Sequence, residues 1–105
     1  MSKPFNPSRG TNQRVTATAT ATTLTVTPGT HSLRILNEGD GTVFFTTYKA
    51  SDQTLEATVN DTPVGKSGSA GCVLVVKKPI DHDTISIISA TGDQTVNFQI
   101  GEDGY

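Results

Sequence analysis

The chain has 105 residues, of which 33% are hydrophobic, 17% charged and 6% aromatic, so a single small domain with a modest core is expected. Its formal net charge of −2 argues against general nucleic-acid binding, because neutralising phosphates requires a basic surface. The longest apolar run, residues 72–76, is far shorter than the roughly 20 residues that span a bilayer, so no membrane helix is expected.

Threonine is unusually frequent, and side chains branched at Cβ favour strands over helices. The first residues contain no apolar segment of the kind found in secretory signals, and Cys72 is the only cysteine. A small secreted domain usually carries paired cysteines, so we expect this protein to fold in a cytosol.

The N-terminal residues 1–12 are predicted to form an extended arm, because prolines and a glycine interrupt them and no hydrophobic period is visible. Strand periodicity begins after them, and residues 13–101 are predicted to form the domain. The last residues, 102–105, are predicted to be a polar tail.

Alternation with a period of two predicts the first strands. Residues 15–21 alternate Val and Ala with Thr, which predicts a strand with one small-residue face directed to the core. Residues 23–27 predict a second strand, which ends at the turn pair Pro28 and Gly29.

The middle of the chain contains the strongest turn signal. Residues 32–37 and 42–48 alternate and flank Glu-Gly-Asp-Gly at 38–41, which predicts a hairpin with a four-residue loop. Residues 49–71 are rich in turn residues and predict a long connection with one short strand at 57–59.

Residues 72–77 are apolar on both faces and predict a central strand, covered on either side by the core or by a neighbouring subunit. Residues 84–90 and 94–100 predict the last two strands, separated by a turn. Seven or eight short strands without helical periodicity predict an all-β fold, an antiparallel β-sandwich or jelly roll. The spacing leaves jelly-roll and immunoglobulin-like connectivities open.

Several motifs could carry chemistry, and each is incomplete. The Gly-Lys-Ser at 65–67 lacks both the earlier glycine and the following helix of a phosphate-binding loop. Asp81, His82 and Asp83 could ligate a metal, but alternate loop residues seldom converge without further ligands. Cys72 begins an apolar strand, where a buried inert thiol is the usual case. We therefore expect no enzyme activity, no cofactor and no metal.

The charge is distributed unevenly along the chain. Residues 1–37 contain four basic and no acidic side chains, whereas residues 38–105 contain four basic and ten acidic ones. A basic arm could dock on an acidic partner or a neighbouring subunit. The predicted contact residues are Lys3, Phe5, Arg9 and Arg14, with Phe5 as an apolar anchor.

Several segments together resemble small structural proteins of tailed bacteriophages. The resemblance covers roughly residues 10–104, and its motifs are structural and of low specificity. The segments that carry it are residues 10–15, 33–39, 43–45, 61–64, 84–88, 96–98 and 101–102.

Among such proteins, the chain resembles the head decoration or cement proteins. The resemblance implies a non-enzymatic virion protein that binds the outside of the capsid as a trimer and stabilises the head. It implies the major capsid protein of the same phage as partner, no nucleic acid or membrane partner, and assembly in the host cytoplasm. Two alternatives stay open: a head-to-tail or tail-associated structural protein, and a module that binds the host surface.

Overall fold

The computed structural model describes residues 4–104 and shows an all-β architecture, with nine strands and no helix in that range. No helix that could cross a lipid bilayer therefore occurs between residues 4 and 104. The strands are β1 (Asn6–Pro7), β2 (Gln13–Ala17), β3 (Thr22–Thr25), β4 (Ser32–Asn37), β5 (Val43–Tyr48), β6 (Thr62–Val64), β7 (Val73–Lys77), β8 (Thr84–Ser89) and β9 (Gln94–Glu102).

The strands form two sheets in which every pairing is antiparallel. In the first sheet β9 lies between β4 and the two N-terminal strands β1 and β2, and β7 follows β4. The second sheet has the order β3, β8, β5, β6. The pairs β2–β9, β3–β8, β4–β7 and β5–β6 are nested along the chain, which is the connectivity of a jelly roll.

The core lies between the two sheets and is built from the inward residues of each strand. The rings of Phe45 on β5 and Phe98 on β9 meet edge to face across this core, with centroids 6.5 Å apart and planes at 68°. Its buried members are Ala17, Val26, Leu33, Ile35, Val43, Phe45, Val64, Ile85, Ile87, Val96, Phe98 and Ile100.

The predicted hairpin at residues 38–41 is wrong, although both flanking strands exist. Strand β4 belongs to the first sheet and β5 to the second, so the loop is an arch between sheets. The buried Asn37 holds this arch: its Nδ2 donates to the carbonyl of Gly41 at 2.8 Å, and its Oδ1 accepts from the amide of Gly39 at 2.9 Å. Alternation identifies the buried face of a strand, and that face is the same in an arch and in a hairpin.

The predicted central position of residues 72–77 is also wrong. Strand β7 is the last strand of the first sheet and pairs with β4 alone among the residues that the structure describes. Its Leu74 and Val76 pack on the core, whereas Val73 on the opposite face is 40% exposed.

Two further predictions need correction. The Thr/Ala strand ends at Ala17 rather than at residue 21, and the chain then crosses to the second sheet, so that Ala17 is buried and Ala19 is exposed. The short strand in the long connection lies at Thr62–Val64, not at residues 57–59. Ala57 is buried instead by packing on the outer face of the second sheet, where its amide donates to Ser86 Oγ at 2.9 Å.

Candidate functional site: the N-terminal strand and the outer face of the first sheet

The first described residues form an additional strand on the first sheet. Strand β1 pairs with the end of β9 in the register Asn6 with Glu102 and Pro7 with Gly101, and the Ser8 amide donates to the Ile100 carbonyl at 2.9 Å. This register places the predicted anchor Phe5 against the end of the same sheet.

Phe5 is half-buried, and two glycines make room for it. A Cβ on Gly101 would lie 2.8 Å from the Phe5 ring, and a Cβ on Gly104 would lie 2.6 Å from Phe5 Cβ. Gly104 also has a φ of 87°, which favours glycine. The aromatic anchor is therefore seated on this chain's own β9 in the structure.

Residues 8–12 leave the sheet between β1 and β2. Thr11 closes this turn, since its Oγ1 hydroxyl donates a hydrogen bond to the Ser8 carbonyl at 2.7 Å. Gly10 adopts a φ of 76°. Arg9 lies in the turn and is exposed, with no hydrogen bond or ion pair to any residue from 4 to 104. Within the described part of the chain, its guanidinium group is therefore exposed and unpaired.

Arg14 lies on the outward face of β2 and bonds to Glu38, the first residue after β4. The Arg14 hydrogen bond lowers the pKa of Glu38, and a further hydrogen bond from Asn97 acts in the same direction. The Arg14 side chain is still 65% exposed. Arg14 therefore ties β2 to β4 while keeping much of its surface in solvent.

The three predicted contact residues that the structure describes, Phe5, Arg9 and Arg14, do not form one cluster. Lys3 lies outside the described residues. Phe5 sits at the carboxyl end of β9, Arg9 in the turn, and Arg14 opposite Asn97 in the middle of β9. They are spread along one edge of the first sheet, which suits an extended contact rather than a pocket.

The outer face of the first sheet extends this basic surface. Leu33 and Ile35 point into the core, so Arg34 between them points outward, as does Arg14 on β2. Lys77 at the end of β7 shares this face and is exposed. Glu38, already bonded to Arg14, is the acidic group that accompanies them.

The segment Asp81, His82 and Asp83 does not assemble a metal site. His82 Nδ1 lies 2.8 Å from Thr47 Oγ1, whereas Asp83 Oδ1 accepts hydrogen bonds from the Ala50 amide and Thr84 Oγ1. Those hydrogen bonds lower the pKa of Asp83. Between residues 4 and 104 no three His, Cys, Asp or Glu side chains are grouped as metal ligands.

The glycine-rich loop at 65–71 uses its amides internally. The Gly65 amide donates to the Gly71 carbonyl at 2.9 Å, and the Ser67 amide donates to the Gly39 carbonyl at 2.7 Å. The second bond fastens the loop to the 38–41 arch, and both bonds occupy amides that a phosphate-binding loop would direct at its ligand. Cys72, which follows the loop, is half-buried.

Two features were not predicted from the sequence. Lys78 is only 1% exposed, and its Nζ donates to the carbonyls of Pro79 and His82, each at 3.0 Å. Burial lowers the pKa of Lys78, against the opposing effect of nearby Asp81. A lysine directly after a strand is normally exposed, whereas here the carbonyls of Pro79 and His82 accept hydrogen bonds from a buried Lys78.

The second feature is an open cleft of about 320 Å³ between the edge strands of the two sheets. Thr46 on β5 and Asn60 and Asp61 just before β6 line one side of it, and Lys77 on β7 lines the other. The cleft arises from the nested strand order, which cannot be derived from the spacing of turns.

No protein family matches this sequence, and no curated protein is significantly similar to it.

Proposed function

We propose that this chain is a non-enzymatic virion protein of a tailed bacteriophage, which binds the outside of the capsid as a trimer and stabilises the head. The observation that carries the proposal is the basic outer face of a small jelly roll, formed by Arg14, Arg34 and Lys77, with the exposed Arg9 in the turn beside it. Jelly rolls are common in viral capsid proteins, which adds support from the architecture.

The proposed partner is the major capsid protein of the same phage. A broad basic face complements an acidic surface and accelerates docking, and it needs no enclosed pocket. Weak contacts of this kind are sufficient for a trimer, because its three linked subunits can engage neighbouring copies of the same lattice site together. The proposed location is therefore the capsid surface, with assembly in the host cytoplasm.

Docking is tested by incubating the purified protein with undecorated capsids and imaging the particles by cryo-electron microscopy. The double variant Arg9→Glu with Arg34→Glu should bind the capsid at least tenfold more weakly, because two basic contacts are reversed. Lys66→Glu, in the loop beside the 38–41 arch, changes the net charge by as much as Arg9→Glu or Arg34→Glu alone, and it is the matched control for each of these single variants.

The imaging also distinguishes the alternatives. Regular density over the shell at threefold positions supports decoration by trimers. Density at the portal vertex or tail, with six or twelve copies, would indicate a head-to-tail or tail-associated protein instead. Absence of density anywhere would contradict both and leave a host-surface binding module as the next hypothesis to test.

A further inference from the structure

Strand β7 has a free edge on the side away from β4. The Asn37 amide donates to the Cys72 carbonyl at 2.9 Å, and the Lys78 amide donates to the His31 carbonyl at 2.7 Å. Because antiparallel pairs alternate between bonded and non-bonded residues, Leu74 and Val76 also bond to β4. The amides and carbonyls of Val73, Val75 and Lys77 therefore point away from β4, where no strand from residues 4–104 meets them.

The side chains of β7 do not suit an exposed edge. Natural edge strands are protected by charges, prolines or bulges, and β7 has Lys77 alone at one end. Val73 is 40% exposed and Val75 is half-buried on the outer face, next to the half-buried Leu36 of β4. A strand that is apolar on both faces is typical of the interior of a sheet.

We propose that β7 pairs with β7 of a second copy of this chain, so that the two first sheets join into one continuous sheet. The pairing is antiparallel about a two-fold axis at Val75, which places Val75 opposite Val75 and Val73 opposite Lys77. This register brings together all three residues with outward-pointing amides and carbonyls, and it pairs the whole strand.

The charge of β7 favours a second copy of this chain as the strand that pairs with its free edge. An antiparallel register centred on Val75 keeps the two Lys77 side chains at opposite ends of the ladder, each facing a valine. Centring the pairing on Lys77 would set like charges opposite each other, which is destabilising, and would leave most of the strand unpaired. The register centred on Val75 therefore pairs all five residues of β7 without setting like charges opposite each other.

The small area buried between the two β7 strands limits the affinity of the dimer. A pair of five-residue strands buries less than the roughly 1,200 Å² of a typical stable interface. The dimer should therefore form at high protein concentration, or where copies are held close together. The pairing does not depend on the proposed function, since it needs no capsid. It shares Lys77 with the proposed basic face but not the Phe5 and Arg9 segment.

The pairing is tested first by amide hydrogen exchange at increasing protein concentration. Exchange at Val73, Val75 and Lys77 should slow as the protein concentrates, while the amides of Leu74 and Val76, already bonded to β4, should not change. Analytical ultracentrifugation should show a monomer–dimer equilibrium over the same range. A protein that stays monomeric throughout, or uniform exchange along β7, would overturn the proposal.

A substitution and a cross-link test the register. Val75→Lys should weaken dimerisation by roughly tenfold or more, because it sets two lysines opposite each other. Val59→Lys, at a valine that is 57% exposed elsewhere, is the matched control and should leave dimerisation unchanged. Circular dichroism confirms that each variant is folded.

In a Cys72→Ser background, Val75→Cys should form a disulfide-linked dimer on mild oxidation, since bonded antiparallel pairs have Cα atoms about 5.5 Å apart. Val59→Cys should stay monomeric under the same conditions. Equal cross-linking of both variants would contradict the register. A Val75→Lys variant that dimerises normally but no longer binds capsids would assign the β7 edge to a capsid strand instead.

Discussion

Asn37 shows how a single buried side chain determines the path of the chain between sheets. Its Nδ2 donates to the carbonyls of Gly41, Val64 and Gly65, at 2.8, 3.3 and 3.1 Å, so it joins the arch at 38–41 to the loop that follows β6. These carbonyls belong to segments far apart in the chain. Asn37 therefore holds two distant segments together, although the sequence indicates only a turn at this position.

Asn37→Ala should destabilise the protein by about 2–4 kcal/mol, because several buried backbone groups lose their partner. Asn37→Asp is the second variant to measure. It keeps the acceptor for the Gly39 amide but places a carboxylate oxygen against three carbonyls. Urea unfolding measures both variants. A loss below 1 kcal/mol for Asn37→Ala would show that other groups or water satisfy the arch.

Glu38 should make stability depend on pH in the acid range. Its pKa is lowered from 4.5 in the folded state, chiefly by the Arg14 hydrogen bond, so its contribution is complete above pH 4.5. The contribution is lost as the pH falls through the folded-state pKa. The free energy of unfolding of wild type minus that of Glu38→Gln should therefore shrink between pH 6 and pH 3.

Chemical denaturation across this pH range measures that difference. Asp52→Asn, which removes an exposed carboxylate from the connection between β5 and β6, is the matched charge control. If the difference between wild type and Glu38→Gln were constant with pH, the ion pair with Arg14 would not form in solution.

At the scale of elements, β1 is the strand with the fewest pairing residues, and its position depends on Phe5 and two glycines. It contributes two residues to the sheet, yet it covers the end of β9 that β2 does not reach. Its attachment is therefore easy to weaken without disturbing the core.

Gly101→Val should detach β1, because even a Cβ at this position would overlap the Phe5 ring and the Asn6 carbonyl. We expect faster amide exchange at Ser8 and little change in the core amides of β4. Phe5→Ala in the Gly101→Val background should restore only part of the protection, since the Asn6 carbonyl stays in the way. Unchanged exchange at Ser8 in Gly101→Val would contradict this account of β1.

At the scale of the molecule, the sequence predicted the positions of the strands far better than it predicted which strands pair with each other. Residues 32–37 match β4 in full, and the prediction at 84–90 differs from β8 by one residue. Period-two alternation reports which side chains are buried, and that is a local property. Pairing depends on contacts between distant residues, so the arch at 38–41 and the edge position of β7 were both missed.

The candidate surface stays a prediction as a docking surface. The structure shows that two of its basic residues, Arg9 and Arg14, lie in solvent. The strand order β9, β4, β7 is needed to show that Arg34 and Lys77 extend the same face. The burial of Lys78 likewise depends on the carbonyls that surround it.

Strand β9 bonds to β1, β2 and β4, and it follows all of them in the chain. During synthesis, β2 and β4 therefore have no strand between them until β9 has left the ribosome. Contacts that close such long loops are slow to form, so the first sheet can assemble only after translation of the whole domain. Until then the nascent chain exposes apolar strand edges, and its yield in cells should depend on chaperones more than its folded stability would suggest.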